Sequence, residues 1–517
     1  MWMKNQFIKY NLFCLVMIIV ITGNVSAQIQ PGKQQYNKYC LSCHGSGGKG
    51  DGELSYLLYP KPRDLTSGLF KIRSTQPGNP PTDDDLISSI KNGMPGTAMP
   101  SFNFLDIDEL KDIVSYIKYL GDIENSNALQ IEIPDLISET NELLELGKSV
   151  YTEIGCIKCH GDIGKGDGPS AYTLRDSWGY PIIPRDFTSG VYLGGGTPQD
   201  LYLRFAGGMD GTPMPSYGNL SELLGKPKED ENELAWSLVH YVKSLETGIS
   251  IEAINIPEDG KITAFAVNNN STIDQLLDVS SSLWGKINSY SIPISRLWQS
   301  ENINYQTVEV QAVYSSKYIA FKLEWEDLTM EESLYRVQDF QDAAAIQFSV
   351  DGSMDFHGMG SKKHPTDIWF WKAEWQILKS AGVDSDIEHV YLNRVSDSDV
   401  ESYPDVFNDT AFLSGRDAGN INSKKKRTTS VENVTAAGPE TVTSLEENLQ
   451  KVVGEGSWDG DKWQIVLVRE LRSKSKQQVK FKKDDIVPIG FAVWNGSEND
   501  RNGQKMVSTW YKLELKD

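Results

Sequence analysis

The 517-residue chain is poor in the residues that build disulfide frameworks and histidine-rich metal clusters, with five cysteines and six histidines. Cys14 lies in an apolar run at the N-terminus. The other four, Cys40, Cys43, Cys156 and Cys159, all stand in Cys-x-x-Cys-His. No cysteine is left over for a disulfide elsewhere, even in a compartment that would permit one. An excess of positive charge is also missing. The formal net charge is −21, which repels nucleic acid and anionic lipid surfaces and attracts a basic partner. Beyond residue 27 no apolar run reaches membrane length. The dinucleotide glycine fingerprint is absent, and the Gly-Lys-Gly-Asp-Gly stretches lack the spacing and the Lys-Ser/Thr ending of a phosphate loop.

What is present starts at the N-terminus. Lys4 and Lys9 precede the apolar run Leu12 to Ile21, and Val25-Ser26-Ala27 closes it with a small-x-small pattern. Residues 1–27 therefore read as an export signal, with Gln28 as the mature start and an uncleaved anchor as the alternative. Lys4 and Lys9 are the only charged residues of that segment, so the mature chain would carry −23. It is expected outside the cytoplasm, in the periplasm or an equivalent compartment, without a membrane span.

The chain then repeats itself. Gly32-Lys33, Tyr36, Cys40-Leu-Ser-Cys43-His44 and Gly48-Lys49-Gly50-Asp51-Gly52 recur as Gly147-Lys148, Tyr151, Cys156-Ile-Lys-Cys159-His160 and Gly164-Lys165-Gly166-Asp167-Gly168. Pro62-Arg63-Asp64 recurs as Pro184-Arg185-Asp186. Gly96-Thr97-Ala98-Met99-Pro100-Ser101-Phe102 recurs as Gly211-Thr212-Pro213-Met214-Pro215-Ser216-Tyr217. Each copy reads as mostly helical. Middle helices start at the caps Thr82 and Thr197, each with an acid three residues on. The last helix of the first copy places Leu110, Ile113, Val114, Ile117 and Leu120 at helical spacing.

Cys-x-x-Cys-His attaches haem for a chemical reason. Two thiols at this spacing can add to the two vinyl groups of one porphyrin, and the adjacent histidine then lies under the iron. A structural zinc site would need a second Cys/His pair close by, and a dithiol oxidoreductase would need a thioredoxin-like strand and helix around the motif; the sequence has neither. Cys40, Cys43, Cys156 and Cys159 are thus expected to hold two haems c, with His44 and His160 as axial ligands. For the second axial position a soft sulfur is expected. Met99 and Met214, each inside a Met-Pro loop, are preferred over Met94 and Met209, which read as packing residues. Arg63 and Arg185 suit haem propionates and structural salt bridges equally. Arg73 has no counterpart in the second copy, so the two surroundings should differ.

From about residue 250 short alternating segments appear, including Val308 to Tyr314, Tyr318 to Trp325, Ala345 to Val350, Trp463 to Arg469, Val487 to Trp494 and Ser508 to Leu515. They predict strands in a sandwich or barrel. Leu392 to Gly454, which holds Lys424-Lys-Lys-Arg427, reads as a long polar surface excursion. Met354, His357, Met359 and His364 stand close together; taken alone they read as core methionines and loop histidines.

Two resemblances sharpen these expectations. Residues 28 to 245 resemble the class I cytochrome c family through both Cys-x-x-Cys-His runs, the glycine-rich stretches after them and the two Met-Pro loops. Residues 260 to 515 resemble the haem b domain of γ subunits in molybdenum enzymes of the dimethyl-sulfoxide-reductase family. The residues that carry this second likeness are Asp342 to Phe348, His357-Gly358-Met359-Gly360, Asp367 to Ala373, Trp463 to Leu471, Phe491 to Gly496 and Gly503-Gln504-Lys505. Ethylbenzene dehydrogenase, chlorate and selenate reductases and nitrite oxidoreductases have such subunits, nitrite oxidoreductase being the preferred comparison. The resemblance implies one haem b held by Met359 and Lys505, with His357 and His364 as rival ligands. The expected architecture is a signal peptide at 1–27, all-α cytochrome c domains at 28–125 and 140–248, and a mainly β, sandwich-like haem b domain at 260–517. The implied role is electron relay between iron–sulfur and molybdenum subunits and a soluble cytochrome or similar carrier, with no catalytic site on this chain. The alternative is a dihaem cytochrome c whose C-terminal domain binds a sugar or other ligand, acting as an enzyme or a free carrier.

Overall fold

The computed structural model describes residues 29–123, 128–247, 255–296, 306–333, 336, 338–354, 358–381, 427–438 and 440–516. Residues 1–27, His357 and Lys424 to Lys426 lie outside the described residues. The chain forms two compact units, one from residues up to Met94 with Leu105–Ile251, the other from Pro95–Phe104 with Glu252–Asp517.

The first unit is helical and shows its repeat in three dimensions. The first copy contains α1 (29–39), α2 (Leu41–His44), α3 (Asp83–Asn92) and α4 (Ile107–Gly121). The second contains α5 (Asn141–Glu153), α6 (Ile157–His160), α7 (Pro198–Gly207), the short α8 (Leu220–Leu223) and α9 (Glu231–Ser244). Both expected caps form. Thr82 and Asp85 make a capping box on α3, and Thr197 and Asp200 make one on α7, so orphan N–H groups of the first turn find acceptors. On α4 the residues Leu110, Ile113, Val114, Tyr116 and Ile117 are buried, the stripe that a 3.6-residue period produces.

The first and last helices of each copy cross at a glycine. A side chain on Gly32 would stand 2.0 Å from the Asp112 carbonyl, and one on Gly147 2.0 Å from that of Ser237. Only glycine lets the backbones approach so closely. Beside each crossing two tyrosines meet edge to face, Tyr36 with Tyr116 at 5.1 Å and Tyr151 with Tyr241 at 5.3 Å. The inner hydroxyls donate to the carbonyls of Gly45 (2.7 Å) and Gly161 (2.8 Å). The crossing thus ties the helix pair to the residue that follows each Cys-x-x-Cys-His.

The two copies also hold each other within this unit. Arg73 is 1% exposed and donates from two nitrogens to the Asp210 carboxylate, at 2.9 and 3.0 Å. It donates a further bond to the Gly207 carbonyl, 2.6 Å. Arg204 in turn donates to the Arg73 carbonyl, 3.2 Å.

Among the described residues the second unit has thirteen strands. In chain order they are β1 (Lys261–Ala266), β2 (Tyr290–Arg296), β3 (Gln306–Tyr314), β4 (Tyr318–Glu326), β5 (Ala343–Ser349), β6 (Thr366–Lys372), β7 (Val431–Ala436), β8 (Thr443–Ser444), β9 (Val453–Trp458), β10 (Lys462–Glu470), β11 (Ile486–Trp494), β12 (Met506–Val507) and β13 (Tyr511–Lys516), with α10 (Ile273–Leu277) after β1 and α11 (Ala373–Ala381) after β6. The ladder closes through β11, β12, β2, β3, β1 and β13 back to β11. Two wings extend from this ring, β5–β6–β7–β8 from β11 and β4–β10–β9 from β3. Among the described residues only β1 pairs in parallel, with β13 and with β3. The two wings pack face to face as in the expected sandwich, and the ring joins them into a more closed, barrel-like sheet. The core between the wings is aromatic: Trp369, Trp371, Trp463, Phe321 and Phe348 are fully buried.

The expected excursion from Leu392 to Gly454 is corrected in its described part. β7 lies between β6 and β8, and five of its six residues are buried. Its polar appearance comes from Glu432 and Asn433, which are buried but partnered. Glu432 takes Lys372 at 2.5 Å, and the Asn433 side chain donates to Asp367 at 2.6 Å. Asp367 also pairs with Arg469 at 2.8 Å. A strand covered on both faces by such a network loses the period-2 signal of a half-buried strand.

Candidate haem-binding sites

Each Cys-x-x-Cys-His folds as one tight helical turn. The N–H groups of Cys43 and His44 donate to the Cys40 carbonyl, at 3.2 and 2.9 Å, and those of Cys159 and His160 to the Cys156 carbonyl, at 3.1 and 2.8 Å. The turn projects two sulfurs and an imidazole from one short segment. Nδ1 of His44 lies 2.9 Å from the Arg63 carbonyl, and Nδ1 of His160 lies 3.3 Å from that of Arg185. A carbonyl can only accept, so the hydrogen sits on Nδ1 and the lone pair on Nε2. Burial lowers the basicity of both imidazoles, that of His160 to about 4. Both are therefore neutral at pH 7, in the tautomer that leaves Nε2 for a metal, and the carbonyl orients the ring as an outer partner of a ligand does. This carbonyl role was missed when Pro-Arg-Asp was read for its guanidinium; its recurrence in both copies was the available signal.

Burial pushes the thiols up, Cys40 to about 12, Cys43 to about 11 and Cys156 to about 12. A dithiol oxidoreductase needs the opposite shift, so the pocket suits thiols that are consumed in attachment.

The Met-Pro loops share a local turn. The N–H of Met99 donates to Thr97 Oγ1 and that of Met214 to Thr212 Oγ1, both at 3.2 Å. Met214 packs on the apolar cluster of Val150, Tyr151 and Trp236, which Cys156 and Ile157 also border. Met209 gives its N–H to the Met214 carbonyl, 3.2 Å. Met99 lies on Pro95–Phe104, a segment of the second unit, where Asn103 donates to the Pro257 carbonyl at 3.3 Å and Lys512 to that of Phe104 at 2.5 Å.

In the second unit two distant residues meet. Lys505, in the connection from β11 to β12, directs its Nζ at the sulfur of Met359, in the connection from β5 to β6, at 3.6 Å. The amine also donates to the Asn502 carbonyl at 3.3 Å and lies 4.9 Å from the centre of the Trp494 ring. Lys505 is 6% exposed, and burial pulls its amine down to about 8. Met359 packs on Ala343, Ala345, Ile368, Val434, Ala436 and Trp494. An amine whose charge is opposed by burial, facing a thioether in an apolar pocket, is a fitting donor pair for a haem iron, since only the neutral amine has a free lone pair. The rival His364 is half-buried and engaged elsewhere, its Nδ1 2.6 Å from Asp351.

Buried cations complete the first unit's sites. Burial lowers Arg63 and Arg185 to about 10, and Nη1 of Arg63 has no hydrogen-bond partner. Such a group fits a carboxylate.

The site residues of the first copy, and Met359 and Lys505, fall in segments that match known families. Residues 27–117 match the cytochrome c oxidase, cbb3-type, subunit III family, and residues 281–506 match the ethylbenzene dehydrogenase family. A Haloferax mediterranei protein named as a respiratory nitrate reductase haem subunit is 26% identical over 46% of this chain and 68% of its own length. The dimethylsulfide dehydrogenase subunit gamma of Rhodovulum sulfidophilum is 26% identical over 39% of this chain and 58% of its own. A chain of the Kuenenia stuttgartiensis reducing HAO-like protein complex is 39% identical over 42% of this chain and 96% of its own, with a TM-score of 0.39. Among the described residues no helix is long and apolar enough to cross a membrane. The protein thus carries a cytochrome c domain at its N-terminus and, over residues 281–506, a domain of the ethylbenzene dehydrogenase family.

Proposed function

We propose that the chain is the electron-transfer subunit of an exported oxidoreductase complex, with two haems c and one haem b. It would relay electrons between iron–sulfur and molybdenum subunits and a soluble carrier. The observation that carries this reading is the approach of Lys505 to Met359, with no carboxylate pairing the amine among the described residues.

Cys40 and Cys43 would anchor the first haem c, and Cys156 and Cys159 the second. Nε2 of His44 and of His160, with the sulfurs of Met99 and Met214, would be the iron ligands of the haems c. Met359 and Lys505 would hold the haem b. Bound haem supplies an iron that gains and loses one electron. The protein's part would be to supply the iron's ligands and, through burial, to loosen the proton of Lys505 so that its lone pair is more easily freed. The carbonyls of Arg63 and Arg185 hold the Nδ1 protons, so the imidazole rings keep one orientation through redox cycling. The net charge of −21 favours a basic carrier.

The test is a reduced pyridine-haemochrome spectrum of the purified full chain, before and after acid–acetone extraction. Two haems c and one extractable haem b per chain are expected. Protein matured with haem available that yields nothing extractable removes the haem b assignment. A single covalent haem removes the second copy from the relay.

A further inference from the structure

Two features distinguish the copies, and inside the first unit they meet. Arg73 of the first copy has no counterpart in the second. The second copy in turn has a longer span from Gly168 to Pro184 than the first has from Gly52 to Pro62, and the longer span holds Trp178. This span makes a tight turn. Oδ1 of Asp176 accepts from the N–H groups of Trp178 and Tyr180, at 3.0 and 2.9 Å, and the Asp176 N–H donates to the Tyr180 carbonyl at 2.9 Å. An aspartate that closes a turn in this way fixes the backbone that carries the indole.

Both features end on the methionine loop of the second copy, Gly207 to Ser216. The loop is tied to itself. The Met209 N–H donates to the Met214 carbonyl at 3.2 Å, the Thr212 hydroxyl donates to the Met209 carbonyl at 2.7 Å, and Ser216 Oγ donates to the Ala206 carbonyl at 2.6 Å. A loop closed by such bonds moves as one piece, and Met214 moves with it. Arg73 holds this piece from the first copy. Its Nε and Nη2 take the Asp210 carboxylate, Nη2 also takes the Gly207 carbonyl, and Nη1 is anchored on the Thr75 carbonyl of its own copy. Trp178 holds the other side. The Ser177 N–H donates to the Gly211 carbonyl at 3.1 Å. Gly211 has φ +77°, and a side chain there would stand 2.9 Å from the Trp178 ring and would also run into Nη1 of Arg63. That guanidinium, again from the first copy, lies 4.3 Å from the centre of the indole.

We propose that Arg73 and the Arg63–Trp178 stack are a clamp between the copies, and that Arg73 and Trp178 are positioning residues for the Met214 thioether of the second site. This rests on the reading that the second copy carries a haem c with the Met214 sulfur on its iron. A thioether ligand raises the potential of a haem, and outer residues that fix a ligand's place tune the metal through it. The potential of the second haem is therefore set in part by side chains of the first copy, and releasing the clamp lowers it.

The test is spectroelectrochemical titration of the full chain, together with the red sulfur-to-iron charge-transfer band of the ferric protein. Met214→Ala assigns the second haem's share of that band and its midpoint. Arg73→Met is expected to reduce the same share and to lower the same midpoint by about 59 mV, a tenfold change in the oxidised-to-reduced ratio for one electron, with the other haem c unmoved. Ile113→Ala, a loosening of the first copy's own buried helix stripe, is expected to leave band and midpoints in place. The clamp is overturned if Arg73→Met keeps both band and midpoint, if it moves both haems c alike, or if Ile113→Ala does as much. Should Arg73→Met yield no folded holoprotein, Trp178→Ala is read by the same criteria. A Met214→Ala protein with unchanged band and midpoints overturns the ligand reading beneath the proposal, whereas a response to Met214→Ala without one to the clamp variant overturns the clamp alone.

Discussion

The two units assemble their candidate haem sites in opposite ways. In the first, Cys40, Cys43 and His44 lie within five consecutive residues, and one helical turn suffices to converge them. In the second, Met359 and Lys505 are 146 residues apart, and no local structure can bring them together. The loop after β5 folds back along that strand, Gln347 donating to the Gly358 carbonyl at 3.1 Å and Met359 packing on Ala343, Ala345 and Trp494, which brings it to the end of β11 where Lys505 lies. The first kind of site survives any backbone that keeps a turn. The second exists only while the closed sheet exists.

Removing one covalent anchor should break the comparison most sharply. Cys156→Ala is expected to lower the covalent haem count from two to one while the second unit keeps its haem b, read by haem staining and pyridine haemochrome. Retention of both covalent haems would contradict the attachment role. Lys505→Arg should do the converse. A guanidinium stays protonated throughout the working pH range, so extractable haem b is expected to fall to background with both haems c intact; full retention would return the ligand question to the histidines.

Stability should divide along the same line. Arg73→Leu leaves Asp210 and the Gly207 carbonyl without their donor, and is expected to weaken the first unit by about 3 kcal/mol. The side chain of Asp210, 28% exposed, keeps some solvent and holds the loss near that figure. Two calorimetric transitions, with only the lower-stability shift assigned to the haem c bands, would show it; an equal loss in both transitions would refute the division. The smallest effect is that of pH. In the second unit burial, with Asp342 nearby, raises Asp327 to about 7. The folded state then binds a proton more tightly than the unfolded chain, so stability is fully present below the ordinary carboxylate range and is lost as pH rises through about 7. A tenfold change in proton affinity corresponds to about 1.4 kcal/mol, and Asp327→Asn should flatten the decline of the second transition between pH 5 and pH 8. An unchanged slope would mean that Asp327 is ionised throughout.

How much was legible follows the same division. The capping boxes at Thr82 and Thr197, the apolar stripe of α4 and both Cys-x-x-Cys-His turns were readable because their partners lie within one or two helical turns. The strands around Val308, Tyr318 and Val487 were readable by alternation, within two residues of their ends. β7 was not, because Glu432 and Asn433 find their partners on β6, 60 and 66 residues away. The approach of Met359 to Lys505 was inferred from resemblance, and no spacing in the chain could have supplied it.

The sequence by itself determined the two Cys-x-x-Cys-His runs, the recurrence of the motifs around them and the change from helix to strand, because each depends on interactions spanning a few residues. Only the tertiary structure decided which carbonyl holds each imidazole and that a lysine amine faces a thioether. Those outcomes depend on burial and on long-range approach, and a side chain's chemistry changes with both.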